Sequence, residues 1–408
     1  MNITDIRNLV NEKRASFVSD MLAISAIPSV NPKCGGSGEY LRSLWIADTL
    51  TKMGYRYEWI EIADSSVKEG VRVNIVLRIA GIETDSQTLW FIGHTDTVSP
   101  GDLSLWKTNP FIPTVFDNKI FGLGVEDNSQ AIITFLQVLK IIKEQSIQPR
   151  CNIGFLFVCD EECGSEFGLK ALINMGYLKR FDEAIVPDYG SIDGSFIEIA
   201  EKSSGYVKFI VTGKQGHASM PHKCHNAHSA ANHFTVNLEN TLRSKFPQQD
   251  RLFDPPYSTF EATQTFSNVS SPNIVPGSHT FFMDMRILPC IPVSEVLKCI
   301  NEVITAFEEA NDGISIQFEP HLNEAPIPTS PDSNVAKTLL SCIQASGVQN
   351  ASFGGIGGGT CGAILRHYGI SAVVWSTLIE LAHQPNEHII IDNLLIDATV
   401  FLATILSY

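Results

Sequence analysis

Histidines and carboxylic acids stand in this sequence at the ends of apolar runs, where an open α/β sheet collects its ligands. The first group is Gly93-His94-Thr95-Asp96-Thr97-Val98, which follows the apolar run 88–92. A neutral imidazole is a good zinc ligand. In an extended chain Asp96, two residues on, shares its side and could hold the ring's other nitrogen; the same pair would also serve as ordinary hydrogen-bonding groups in a loop. The second group, residues 121–128, puts Asp127 just ahead of a strongly apolar helix at 131–145, behind two glycines that permit a tight turn. It reads equally well as a helix N-cap. The third, Asp160-Glu161-Glu162, sets three successive carboxylates behind the apolar run 152–158. Anions crowded at the end of a buried sheet are expensive unless cations accompany them. Asp188 follows the short run 184–186, and His383 follows a run containing Trp375; alone, each suits a turn or a structural role.

The elements that must position these residues follow from periodicity. A helix is expected over 4–26, with Ile6, Val10, Phe17, Met21 and Leu22 on one face, and another over 39–53 ended by Gly54. Strands are expected over 71–81, 88–98 and 152–162, the last two beginning as unbroken apolar runs suited to burial on both faces. Their alternation with helices predicts an α/β fold with a mostly parallel sheet. From residue 204 the pattern becomes β-α-β-β-α-β, a ferredoxin-like α+β unit. The Pro-rich stretch 323–333 then returns the chain to α/β texture. The expected organisation is a catalytic domain over 1–203 and 321–408, interrupted by an inserted domain over 204–320.

Composition narrows the function classes. The formal net charge is −15, against the basic face that nucleic acid demands. With 44% hydrophobic and 18% charged residues the chain has ample material for cores. No run of about 18 apolar residues predicts a membrane span, and the first residues lack an apolar signal core. Nine scattered cysteines imply no disulfide framework and suggest reduced thiols in a cytoplasmic setting. A nucleotide-binding α/β enzyme is disfavoured, because no glycine fingerprint follows the first strand and Gly357-Gly358-Gly359 lacks a following lysine.

In this order, from about residue 90 to 390, the five groups resemble the metallopeptidase family of acetylornithine deacetylase, succinyl-diaminopimelate desuccinylase, aminoacylase and bacterial glutamate carboxypeptidase. The resemblance implies a zinc-exopeptidase type of catalytic domain whose mixed sheet is flanked by helices, with the inserted domain as a lid and dimerisation module. It further implies two divalent ions, zinc with cobalt or manganese as alternatives. His94 and Asp188 would hold one ion, Glu162 and His383 the other, and Asp127 would bridge them. Glu161 would be the general base and acid, and Asp96 would orient His94. His217, in Gly216-His217-Ala218-Ser219-Met220-Pro221, resembles the family's lid histidine and would stabilise the oxyanion in its own or a partner's site. Asn273 and Arg286 would hold a substrate carboxylate, and Gly358 and Thr360 belong to a glycine-rich loop beside the site. His222, His225 and His228 read as a solvated helix start rather than a further metal site.

The implied activity is cleavage of the amide bond in an N-acyl amino acid, of deacetylase or desuccinylase type, by a metal-bridging hydroxide. A dipeptidase or carboxypeptidase acting on short peptides is the alternative, and a non-catalytic metal-binding homologue is a remote one. The implied partners are a small substrate and a second copy of the chain, with neither nucleic acid nor membrane. The sequence departs from the family's pattern at Leu123, at Asn128-Ser129-Gln130 and at Cys361, and it carries Asp188 where some branches use Glu. None of these removes a ligand or the base.

Overall fold

The computed structural model describes residues 1–83 and 87–408. The chain forms two compact units, one of residues 1–199, 329–354 and 360–408, the other of residues 200–328 and 355–359.

The first unit is built on an eight-stranded mixed sheet. At its centre Asn152–Val158, Thr88–His94, Glu183–Val186 and Ser371–Val374 lie side by side in parallel. Val71–Ile79 adds antiparallel to Asn152–Val158, and Glu58–Ala63 adds antiparallel beyond it. The central strands are buried along nearly their whole length, as their unbroken apolar runs require when helices cover both faces. Register matters for function: His94 pairs with Val158, and Val186 pairs with Val374. Parallel strands in this register end on the same edge, so the segments after them start at one level.

Helix Gln130–Glu144 is buried on almost every side, which accounts for its apolar character all round. Phe135 meets Phe91, Phe155 and Phe157 of the sheet and Phe401 of helix Ile391–Ser407. The single helix expected over 4–26 is two, Ile3–Glu12 and Arg14–Ser25. The chain breaks at Lys13, whose amide bonds to the carbonyl of Val10, three residues back. The Lys13 ammonium pairs with Glu144 at the end of the buried helix. Among the described residues no helix is long and apolar enough to cross a membrane.

The second unit is the expected β-α-β-β-α-β. Its four-stranded sheet runs Thr259–Ser267, Ser278–Ile287, Ser203–Thr212, Ser315–Leu322, antiparallel throughout. Helices Ala227–Lys245 and Val293–Ala310 supply the rest of its core. Ser278–Ile287 alternates between buried and half-buried positions, the period-2 signature of a sheet covered on one face. Phe281 stacks on Phe209 at 4.7 Å between ring centroids, and both pack among Phe234, Met283 and Phe307.

Removing a buried aromatic from this layer leaves a cavity that the helices cannot fill. Phe281→Ala is therefore expected to cost about 3–5 kcal/mol. Phe266→Ala, at a largely exposed ring on the edge strand, is expected to cost about 1 kcal/mol or less. Urea unfolding of both variants checks the contrast.

Candidate metal centre

Five of the sequence-selected residues converge at the C-terminal edge of the parallel strands. His94 closes its strand and is buried. Its Nε2 lies 2.7 Å from Asp127 Oδ1 and 3.3 Å from Asp188 Oδ1. Its Nδ1 faces the backbone carbonyl of Asp96 at 3.1 Å, closer than that residue's carboxylate at 3.6 Å. The Asp96 carboxylate chiefly serves a different group. It accepts from the amides of Glu161 at 3.0 Å and Glu162 at 3.2 Å and from Asn31 Nδ2 at 2.8 Å. Asp96 thus holds the ring through its main chain and shapes the glutamate turn through its side chain.

Gly93 is needed beside His94 because the chain behind it is close: a Cβ there would stand 3.0 Å from Asn128 Oδ1. That oxygen accepts from the His94 amide at 3.3 Å, while Asn128 Nδ2 donates to Pro187 O at 2.8 Å and Asp188 Oδ1 at 3.1 Å. Asn128, a departure from the family's pattern, therefore ties together the segments that present His94, Asp127 and Asp188.

Asp127 is not a helix cap. Its backbone is non-helical, at φ −116° and ψ 90°, and the buried helix begins at Gln130. Its two oxygens face two imidazoles, Oδ1 toward His94 and Oδ2 toward His383 Nε2 at 3.2 Å. Two buried glutamates fix this segment against the one carrying His383, each accepting from backbone amides of the opposite segment. Glu387 accepts from the amides of Gly124 at 2.7 Å, Glu126 at 2.8 Å and Asp127 at 3.1 Å. Glu126 accepts from the amides of Ile379 and Leu381. Glu126 lies inside the group 121–128 and Glu387 four residues beyond His383, and neither was given a role in the sequence reading.

Behind Val158 the chain turns sharply. Asp160 takes φ +60°, and Glu161–Cys163 form a single 3-10 turn. Glu162 Oε2 meets His383 Nε2 at 3.0 Å. Two groups of ligand atoms result, His94 with Asp127 and Asp188, and Asp127 with Glu162 and His383. Within each the ligand atoms lie within 4.8 Å of one another, and Asp127 belongs to both.

The donor set fits a pair of divalent cations. It holds two imidazoles and three carboxylates, a nitrogen–oxygen set suited to zinc and its neighbours. Among the described residues Glu162 Oε1 is buried with no hydrogen-bond partner, a cost that a cation would remove. The electrostatics agree. Burial, then the charges of Asp188, Glu162 and Asp127, push the Glu161 carboxyl well above its usual range. Burial and the Asp127 charge raise Glu162 to about 7. Hydrogen bonds to Asp127 and Glu162 raise His383 to about 11. Burial opposes ionisation of Asp127, but His94 and His383 outweigh it and hold that carboxyl low. Neighbouring carboxylates thus add to burial in raising Glu161 and Glu162, while the two imidazoles offset it at Asp127.

His217, Asn273, Arg286 and Gly358 belong to the second unit. His217 is exposed, and its Nδ1 accepts from the Ser219 amide at 3.1 Å. Asn273 is exposed and offers its carbonyl to the Ala218 amide at 3.0 Å. Arg286 is engaged on three sides, by both Asp284 oxygens at 2.8 and 2.9 Å and by Gly357 O at 2.8 Å. Thr360, in the first unit, caps helix Cys361–His367 by accepting from the Gly362 amide at 2.9 Å.

Comparison with known proteins bears on this arrangement. The family model described as peptidase family M20/M25/M40 matches residues 90–407. The chain is 39% identical, over 96% of its length and 98% of the relative's, to an uncharacterized metallohydrolase of Methanocaldococcus jannaschii. It is 26% identical to the succinyl-diaminopimelate desuccinylase of Delftia acidovorans, over 79% and 78% of the two chains. In fold it is similar to a tripeptidase from Staphylococcus aureus, with TM-score 0.77 and 20% identity over 96% and 97% of the chains.

The reciprocal glutamates generate a prediction. Glu387→Ala frees the backbone of Asp127, and Glu126→Ala frees the segment leading to His383. Each is expected to weaken divalent-metal binding about 10- to 100-fold while far-UV circular dichroism stays unchanged. Competition against a chromogenic chelator measures the affinity.

Proposed function

The chain belongs to peptidase family M20/M25/M40, and on that premise we propose that it hydrolyses the amide bond of an N-acyl amino acid, with a short peptide as the alternative substrate. The observation that supports this most directly is Asp127, whose two oxygens face separate ligand groups. His94 and Asp188 would hold one ion, Glu162 and His383 the other, with Asp127 common to both. Two ions so held, zinc by their donor set, would polarise the scissile carbonyl and acidify the attacking water.

The remaining work falls to the protein's own groups. Glu161 neighbours the ligand Glu162 in the same turn, so its carboxylate stands beside the ions that its neighbour would hold. Such a group is suited to take a proton from the attacking water and return it to the leaving amine nitrogen. Asp96 keeps Glu161 and Glu162 in their turn by accepting both their amides. With the second unit acting as a lid, His217 would donate to the oxyanion of the tetrahedral intermediate. Asn273, Gly358 and Thr360 are proposed substrate contacts. Arg286 could hold a substrate carboxylate only by giving up part of its hold on Asp284 or Gly357. The relative named as a desuccinylase favours an N-acyl amino acid, and the chain's ligands and base argue against a purely binding homologue.

Two outcomes are expected. Glu161→Ala keeps its metal but loses turnover about 10²- to 10⁴-fold; a variant with full metal content and near wild-type rate would remove Glu161 from the mechanism. Protein stripped by a chelator is inactive and recovers with Zn²⁺, Co²⁺ or Mn²⁺ when amine release is followed. A panel of N-acetyl and N-succinyl amino acids beside di- and tripeptides identifies the class. Release from peptides alone would replace the deacylase reading with the peptidase one.

A further inference from the structure

One thiol pair adjoins the metal centre without belonging to it. Cys34 Sγ and Cys163 Sγ lie 3.8 Å apart, although 129 residues separate them in sequence. Both are half-buried. The two local structures match. Cys34 is the last residue of the 3-10 turn Pro32–Cys34, and Cys163 is the last of Glu161–Cys163. Each is followed by a glycine in the left-handed region, Gly35 at φ +85° and Gly164 at φ +104°, with open space where a Cβ would stand. Lys33 Nζ already bridges the turns by donating to Cys163 O at 3.1 Å. Other cysteines point elsewhere: Cys159 donates to Phe167 O, Cys151 to Tyr408 O and Cys224 to Met220 O.

We propose that Cys34 and Cys163 are a modification site that forms a reversible disulfide and, through it, switches off the metal centre. The oxidant is a small-molecule disulfide. One thiol, its proton lost to water, attacks a sulfur of R–S–S–R and releases R–SH. The second attacks the mixed disulfide and releases a second R–SH, so two thiols become one disulfide while one disulfide becomes two thiols.

Closing the bond draws the sulfurs together by a further ~1.7 Å. That displacement falls on residues next to the chemistry. Cys163 directly follows Glu162 and its neighbour Glu161. Cys34 follows Asn31, whose Nδ2 holds the carboxylates of Asp96 and Asp160 at 2.8 and 3.2 Å. A shift of this size at positioned groups is worth about tenfold or more in rate. Disulfides of this kind in reducing compartments are typically transient and redox-sensing.

The test uses the full-length, metal-loaded protein. It is treated with oxidised glutathione, alkylated and mapped by non-reducing peptide mass spectrometry. A Cys34–Cys163 cross-linked peptide is expected, reversed by dithiothreitol. In parallel, turnover falls at least about tenfold and returns on reduction, while Cys34→Ser keeps the reduced-state rate and ignores the oxidant. Cys34→Ala repeats the control should the serine perturb the turn. The switch rests on the amide-hydrolase reading, whereas the cross-link does not. If the reduced protein hydrolyses no substrate on the panel, retention of metal during dialysis of oxidised against reduced protein replaces the rate. Absence of the cross-linked peptide, or glutathione adducts alone, overturns the pair. A cross-link that leaves both turnover and metal retention unchanged overturns the switch.

Discussion

Carboxylates repel one another, and burial strengthens the repulsion. This structure nonetheless gathers Asp96, Asp127, Asp160, Glu161, Glu162, Asp188 and Glu387 at one edge of a sheet, with Asp96, Asp160 and Glu387 almost wholly removed from solvent. Most are compensated locally. Asp96 and Glu387 receive backbone amides. Asp160 receives Asn31 and the Phe167 amide and lies 3.6 Å from the buried guanidinium of Arg72. Asp127 and Glu162 receive imidazoles. Glu161 and Glu162 are left short of positive charge, and the Glu162 oxygen that has no partner among the described residues marks that shortfall.

The rest of the first unit follows from keeping this cluster in place. Parallel strands in matched register deliver the four segments to one level. Apolar helices such as Gln130–Glu144 make that sheet rigid by burying both faces. The exchange of backbone hydrogen bonds through Glu126 and Glu387 then ties segments more than 250 residues apart in sequence. Charges assembled in this way are poor for stability and good for holding cations, the usual bargain at a functional site.

Much of this was legible in the sequence because it is periodic or local. Unbroken apolar runs marked the buried strands, and the acids behind them marked the strand ends. The alternating run that begins at Gly205, with the strands and helices that follow it, revealed the β-α-β-β-α-β unit. What escaped is set by partners distant in the chain. The break at Lys13 rests on one tight hydrogen bond and an ion pair to Glu144. Asp127 has the local look of a cap, yet its backbone is bent to face two histidines, one of them over 250 residues downstream. Asn128 looked like the loss of a family feature and instead braces two ligand segments. The Asp96 carboxylate turns chiefly to the glutamate turn, and no pattern around residue 96 announces amides 65 residues away.

The central claim is that one carboxylate, Asp127, organises two cation sites. Its most direct test is metal stoichiometry by equilibrium dialysis with elemental analysis, run on the wild-type protein and Asp127→Ala. Two ions per chain in the wild type and loss of both tight sites in the variant are expected. A single ion in the wild type, or two tightly held ions in the variant, would contradict the account.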